Sequence, residues 1–133
     1  MKLVLDTNII ISALIKDSTI RKIIFDKNFD FITPAYTITE INKYKDYLCE
    51  KISINSEEFD EMFKKLFNCI TIINPKLYSD YLKEADLLID DKKDVAFIAL
   101  ALAFNCPIWS DDKHFQKQNR IKIITTKEML DNN

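Results

Sequence analysis

Five carboxylates stand at positions where a chain would place reactive groups. Asp6 follows the apolar run at residues 3–5, Glu40 comes shortly after Pro34, Asp94 opens the run VAFIALALAF, and Asp111 and Asp112 follow the short run at residues 107–109. If these runs are strands of a parallel sheet, the acids converge on the edge beyond its carboxyl ends, where such folds gather functional groups. Crowded carboxylates repel one another, and a divalent cation relieves that repulsion most directly. The chain has one histidine, His114, and three widely spaced cysteines, Cys49, Cys69 and Cys106, with no CxxC pair. Imidazole-rich or thiolate ligation is therefore not on offer, and the oxygen donors suit Mg2+ or Mn2+. Ions of that kind polarise phosphoryl oxygens, generate hydroxide from water and stabilise a leaving oxygen.

Positioning those acids requires strands that alternate with helices. Residues 3–5, 29–33, 70–73, 107–109 and 121–124 read as five short strands, and they are continuous apolar runs, as in strands covered on both faces. Between them, residues 9–16, 19–27, 37–51, 55–67, 77–88 and 95–104 carry helical patterns, and a small helix starts near residue 127. Thr7 or Asn8 is placed to cap the first helix. The run at 95–104 is apolar on nearly every side, so it belongs in a core. The expected architecture is α/β: a three-layer α/β/α sandwich around a central, mainly parallel sheet of four to five strands, formed by one domain over residues 1–133.

Composition removes other chemistries. The 133 residues include no glycine, where about nine would be usual. Dinucleotide fingerprints, Walker loops and kinase glycine loops are thus excluded, since each needs backbone without Cβ against phosphate. Turns must use Asn, Asp and Pro instead. A formal charge of −2 neither advertises nor excludes nucleic-acid binding. The cysteines read as buried thiols of a reducing cytoplasm, and no apolar run is long enough to cross a membrane.

Four stretches together resemble the PIN-domain ribonucleases, in particular the VapC-like toxin components of toxin–antitoxin systems. They are LDTN at residues 5–8, the glutamate of TITE at Glu40, DVAFIALALA at 94–103, and SDDKHF at 110–115. The likeness covers nearly the whole chain. It implies a Mg2+- or Mn2+-dependent endoribonuclease that hydrolyses RNA phosphodiester bonds with water, without a covalent protein intermediate. Asp6, Glu40, Asp94 and Asp112 map onto the family's acidic quartet, with Asn8 and Ser110 in support. Asp6 and Asp94 would be the principal metal ligands; Glu40 and Asp112 would coordinate through water or orient it. Asp111 is the alternative to Asp112, which the D-x-x-F spacing to Phe115 favours. The resemblance further implies a small antitoxin partner able to shield the acidic edge, and a possible homodimer.

Each acid also has a structural explanation. Glu40 can complete a capping box with Thr37, and Asp94, Asp111 and Asp112 stand at helix starts that favour acids through the dipole alone. Asp6 is harder to explain in that way, because Thr7 or Asn8 could cap without it. Glu84, Asp86, Asp90 and Asp91 read as a solvated face, with Asp90 or Asp91 a conceivable fifth acid. Lys43, Lys45, Lys92, Lys93, Lys113, Lys117 and Arg120 flank the acidic stretches and are candidates to hold RNA phosphates. Two other functions are consistent with parts of the pattern. A haloacid-dehalogenase-type phosphatase would use Asp6 as nucleophile, but Asn8 replaces the acid that its leaving group needs. A non-catalytic PIN-like binding module would keep the fold without the chemistry.

Overall fold

The computed structural model describes residues 1–15, 18–26 and 28–131. Its centre is β1 (Lys2–Leu5), whose Leu3, Val4 and Leu5 are completely buried. β2 (Asp30–Pro34) and β3 (Ile70–Ile73) lie on one side of it, and β4 (Ile108–Trp109) and β5 (Ile123–Ile124) on the other. The order is β3-β2-β1-β4-β5, with every pair parallel. Val4 is in register with both Ile32 and Ile108. The order reverses between β1 and β4, which opens a crevice beyond the carboxyl ends of those strands.

Alternation along β1 sends its side chains to two cores. Leu3 and Leu5 pack with α1 (Thr7–Ile15), α2 (Ser18–Phe25), α3 (Tyr36–Ile52), α4 (Ser56–Phe67) and α7 (Thr126–Asp131), together with Phe31 and Trp109. Val4, Ile32 and Ile108 pack instead against α5 (Leu82–Leu88) and α6 (Val95–Phe104). This is the expected three-layer sandwich, with all five strands parallel. Residues Phe97 to Leu102 of α6 are all buried. Each large apolar side chain removed from water there contributes roughly 1.5–3 kcal/mol, which fixes α6 firmly and with it the position of Asp94 at its start.

The departures from the sequence reading have local causes. Residues 77–88 are not one helix: 3-10 turns at Pro75–Leu77 and Ser79–Tyr81 precede α5, with Pro75 starting the first and the Asn74 side chain capping it. β5 is shorter than expected because the Gln118 side chain takes the Ile121 N–H at 2.8 Å and donates to the Ile121 carbonyl at 2.9 Å. β3 is an edge strand, and Thr71 and Ile72 are exposed, so not every strand is covered on both faces. α3 begins at Tyr36, one residue before the expected start. The expected ends of the first two helices, Lys16 and Lys27, lie outside the described residues. Without glycine, Ser53 and Asn105 adopt the left-handed conformation that ends α3 and α6; asparagine was the foreseen choice, serine was not. The three cysteines are free but half-buried instead of enclosed.

Candidate active site

Asp6 lies where β1 passes into α1. Its backbone carbonyl accepts the Ile9 and Ile10 N–H groups at 3.1 and 3.4 Å, so Asp6 itself occupies the capping position expected for Thr7 or Asn8. Its carboxylate accepts the Ser110 hydroxyl at 2.7 Å and the backbone N–H of Asn8. Burial nonetheless dominates and, with repulsion from Asp112 and Glu40, pushes its pKa up to about 6. Ser110 also accepts the Asp112 N–H at 3.0 Å, which ties the turn after β4 to the end of β1.

Thr7, released from capping, donates its hydroxyl to Glu40 Oε1 at 2.8 Å. Thr7 touches Thr37 at 3.2 Å, Thr37 touches Thr33 at 2.9 Å, and Thr33 donates to the Leu5 carbonyl at 3.0 Å. This buried threonine chain joins β1, β2, α1 and α3. It also corrects the capping-box expectation: Thr37 lies inside α3, where the capping position is Ala35 with no side-chain bond. Glu40 is oriented by a hydroxyl from another helix.

Asp94 occupies the capping position of α6 and does not cap it. Its Oδ2 is buried with no hydrogen-bond partner among the described residues. Burial first, then repulsion from Asp91, Asp112 and Asp6, raises its pKa to about 6, while the charge of His114 acts the other way. A buried carboxylate left unpaired costs several kcal/mol by the usual estimates, about the largest penalty a single side chain incurs.

The two adjacent aspartates after β4 diverge. Asp112 Oδ1 accepts the His114 backbone N–H at 2.9 Å and meets its Nδ1 at 2.9 Å, and Asp112 faces the same cavity as Asp6, Glu40 and Asp94. Asp111 turns away and binds the Thr126 N–H at 2.7 Å and its hydroxyl at 2.6 Å, at the start of α7, where Trp109 Nε1 also donates to Thr126. The cavity is about 190 Å³, and Asn8, Asp91 and Lys93 complete its polar wall. Sequence reasoning gave Thr7, Thr33 and Thr37 no part in it and left His114 without a role. A TxxxT spacing at 33 and 37 was visible, but nothing in it pointed across to residue 7.

The remaining charged candidates are dispersed. Lys45 is engaged by Asp60 at 2.7 Å, Lys92 by Asp86 at 3.6 Å and Arg120 by Glu84 at 3.7 Å. Lys43 stacks over Tyr44, and Lys113 and Lys117 are exposed on the 3-10 turn that follows Asp112. Only Lys93 among these seven lines the acid cavity.

Among the described residues, no three His, Cys, Asp or Glu side chains are set to hold one metal ion between them. Two carboxylates do fit the need: Asp6 and Asp94 are buried, mutually repelling and, in Asp94, unpaired. Mg2+ is commonly held by one or two carboxylates, its shell completed by water and substrate phosphate. No helix among the described residues is long and apolar enough to cross a membrane.

A search of curated proteins gave no match. Among solved structures, a chain of VapBC2 from Rickettsia felis, crystallised bound to a DNA fragment from their promoter, superposes with a TM-score of 0.68 and 18% identity, over 94% of this chain and 98% of that one. The likeness at this identity is one of fold. The family model described as PIN domain matches residues 4–132, nearly the entire sequence, and displaces the haloacid-dehalogenase alternative. The chain belongs to the PIN domain family.

Proposed function

We propose that this protein is a metal-dependent ribonuclease that hydrolyses RNA phosphodiester bonds, the toxin of a toxin–antitoxin pair. The observation that carries the reading is the buried, unpartnered Asp94 Oδ2 facing Asp6, Glu40 and Asp112. A structural cap would have spent that oxygen on a backbone N–H. Family membership and the VapBC2 likeness support the same conclusion.

Asp6 and Asp94 would hold Mg2+ or Mn2+, with Glu40 and Asp112 reaching it through water. When bound, the ion would polarise a phosphoryl oxygen and make hydroxide available near neutral pH. Ser110 fixes the Asp6 carboxylate, Thr7 fixes Glu40, and His114 fixes Asp112, so three of the four acids are held in place before substrate arrives. Glu40 and Asp112 are less buried than the other two and are placed to accept a proton from attacking water. Lys93, at the cavity wall, offsets the negative field that would otherwise repel a phosphate. An antitoxin covering this edge, and a homodimer, belong to the same reading.

The test is incubation of purified protein with total RNA and Mn2+ or Mg2+, beside Asp6→Asn and an EDTA control. Cleavage by the wild type alone, only with the ion, supports the assignment. Equal cleavage by Asp6→Asn would identify a contaminating nuclease. Isothermal titration with Mn2+ separates the non-catalytic module, which should show no binding that depends on Asp6 and Asp94.

A further inference from the structure

Beside the acid cavity lies an open, mainly apolar groove of about 410 Å³. Tyr36 at the start of α3, Pro75 and Tyr78 beyond β3, and Leu82 at the start of α5 line it, together with Lys92 and Lys93. Tyr36 and Leu82 are 37% and 38% exposed, whereas Tyr78 is 4% exposed. The Tyr78 hydroxyl makes no hydrogen bond among the described residues, and burial pushes its pKa up, so it remains a neutral donor. Lys93 borders both the groove and the acid cavity and forms no salt bridge among the described residues.

Resting on the nuclease reading above, we infer that this groove is a nucleobase subsite, which receives one unpaired base of single-stranded RNA next to the phosphate held at the acids. Three features lead to that occupant. Aromatic side chains with adjacent lysines match a base and its flanking phosphates, and stacking of this kind tolerates any base. The groove and the candidate active site share Lys93 in their walls, so neighbouring nucleotides of one strand can occupy both. A base within a duplex has both faces stacked and cannot enter, which makes the substrate single-stranded at this position. An apolar peptide would leave Lys93 without a counter-charge, whereas Lys92 already has Asp86.

The proposal is tested by fluorescence anisotropy with a dye-labelled eight-nucleotide oligouridylate in EDTA, where no cleavage occurs, and with versions carrying one abasic residue at each position in turn. The wild type should show one position at which the missing base costs about tenfold in affinity. Tyr36→Ala should weaken the intact oligonucleotide about tenfold and abolish that position dependence, and Tyr36→Phe should restore both. Lys93→Gln should weaken every oligonucleotide alike and reduce the slope of log affinity against log salt by about 0.7. A flat abasic profile, no detectable binding, or wild-type affinity in Tyr36→Ala overturns the proposal. So does a Tyr36→Ala protein that binds RNA normally but changes its oligomeric state in sedimentation, which would mark the groove as a protein interface. RNA cleavage with a flat profile removes the subsite and keeps the nuclease; a position-dependent profile without cleavage does the reverse.

Discussion

Helices α4 and α6 begin in opposite ways. At the start of α4, Asn55 accepts the Glu58 N–H at 2.8 Å while Glu58 Oε1 accepts the Asn55 N–H at 3.3 Å, in the open and with the exposed backbone donors served. At the start of α6, Asp94 has the right position and a better acceptor, and it caps nothing. Its Oδ2 is buried among other acids instead. The first arrangement lowers the free energy of the folded chain. The second raises it, and folded proteins tolerate such a group where it serves a ligand.

The sharpest way to break this contrast is to neutralise each start in turn. Asp94→Asn should reduce RNA cleavage on the order of 1,000-fold, as measured in initial rates at saturating Mn2+. Retained activity would return Asp94 to the structural class.

A second consequence concerns pH in the absence of divalent ions. The pKa values of Asp6 and Asp94 rise from 3.8 in the unfolded chain to about 6 when folded. Between these values the folded state holds protons that the unfolded state has released, so stability falls as pH increases through that window. The two groups together should remove on the order of 5 kcal/mol between pH 4 and pH 7, visible as a lower Tm in EDTA at pH 7.5 than at pH 5. Mn2+ should recover Tm at pH 7.5 in the wild type and not in Asp94→Asn. An EDTA melting curve that is higher at pH 7.5 would contradict the burial argument.

Smaller effects separate Asp111 from Asp112. Asp111→Ala should cost about 1 kcal/mol, through loss of its bonds to Thr126, and leave cleavage per folded molecule nearly unchanged. Asp112→Ala should do the opposite; the comparison needs only urea unfolding and rate measurements on the two variants. Smallest of all, Asn55→Ala should lower stability by about 1 kcal/mol or slightly less with no change in activity or Mn2+ affinity.

Much of the architecture was legible along the chain because apolar runs and their spacing are local properties. The alternation of strands and helices, the burial of the run at 95–104 and the parallel sheet all follow from them. Short-range polar chemistry was read less well. Thr37-x-x-Glu40 has the form of a capping box, yet Thr37 is drawn to Thr33 and Thr7, thirty residues away in the second case. Gln118 shortens β5 by mimicking a strand partner, which no propensity of the sequence 118–121 announces. The acids were identifiable as types and positions. Their division of labour was not.

What the sequence determined by itself is the supply of chemistry: hard oxygen donors at the ends of buried strands, no glycine loop, no thiolate pair, and elements in an order that builds one sheet. What only the tertiary structure decided is which oxygens are left over. Asp111 and Asp112 are adjacent and chemically identical, yet Thr126 draws Asp111 away from the cavity that Asp112 lines; Asn55 and Asp94 share a place at a helix start, yet Asn55 is spent on Glu58 while the Asp94 Oδ2 is left unpaired. Hydrogen-bond satisfaction is a property of three-dimensional neighbours, so an unspent carboxylate can be recognised only once every neighbour is in place.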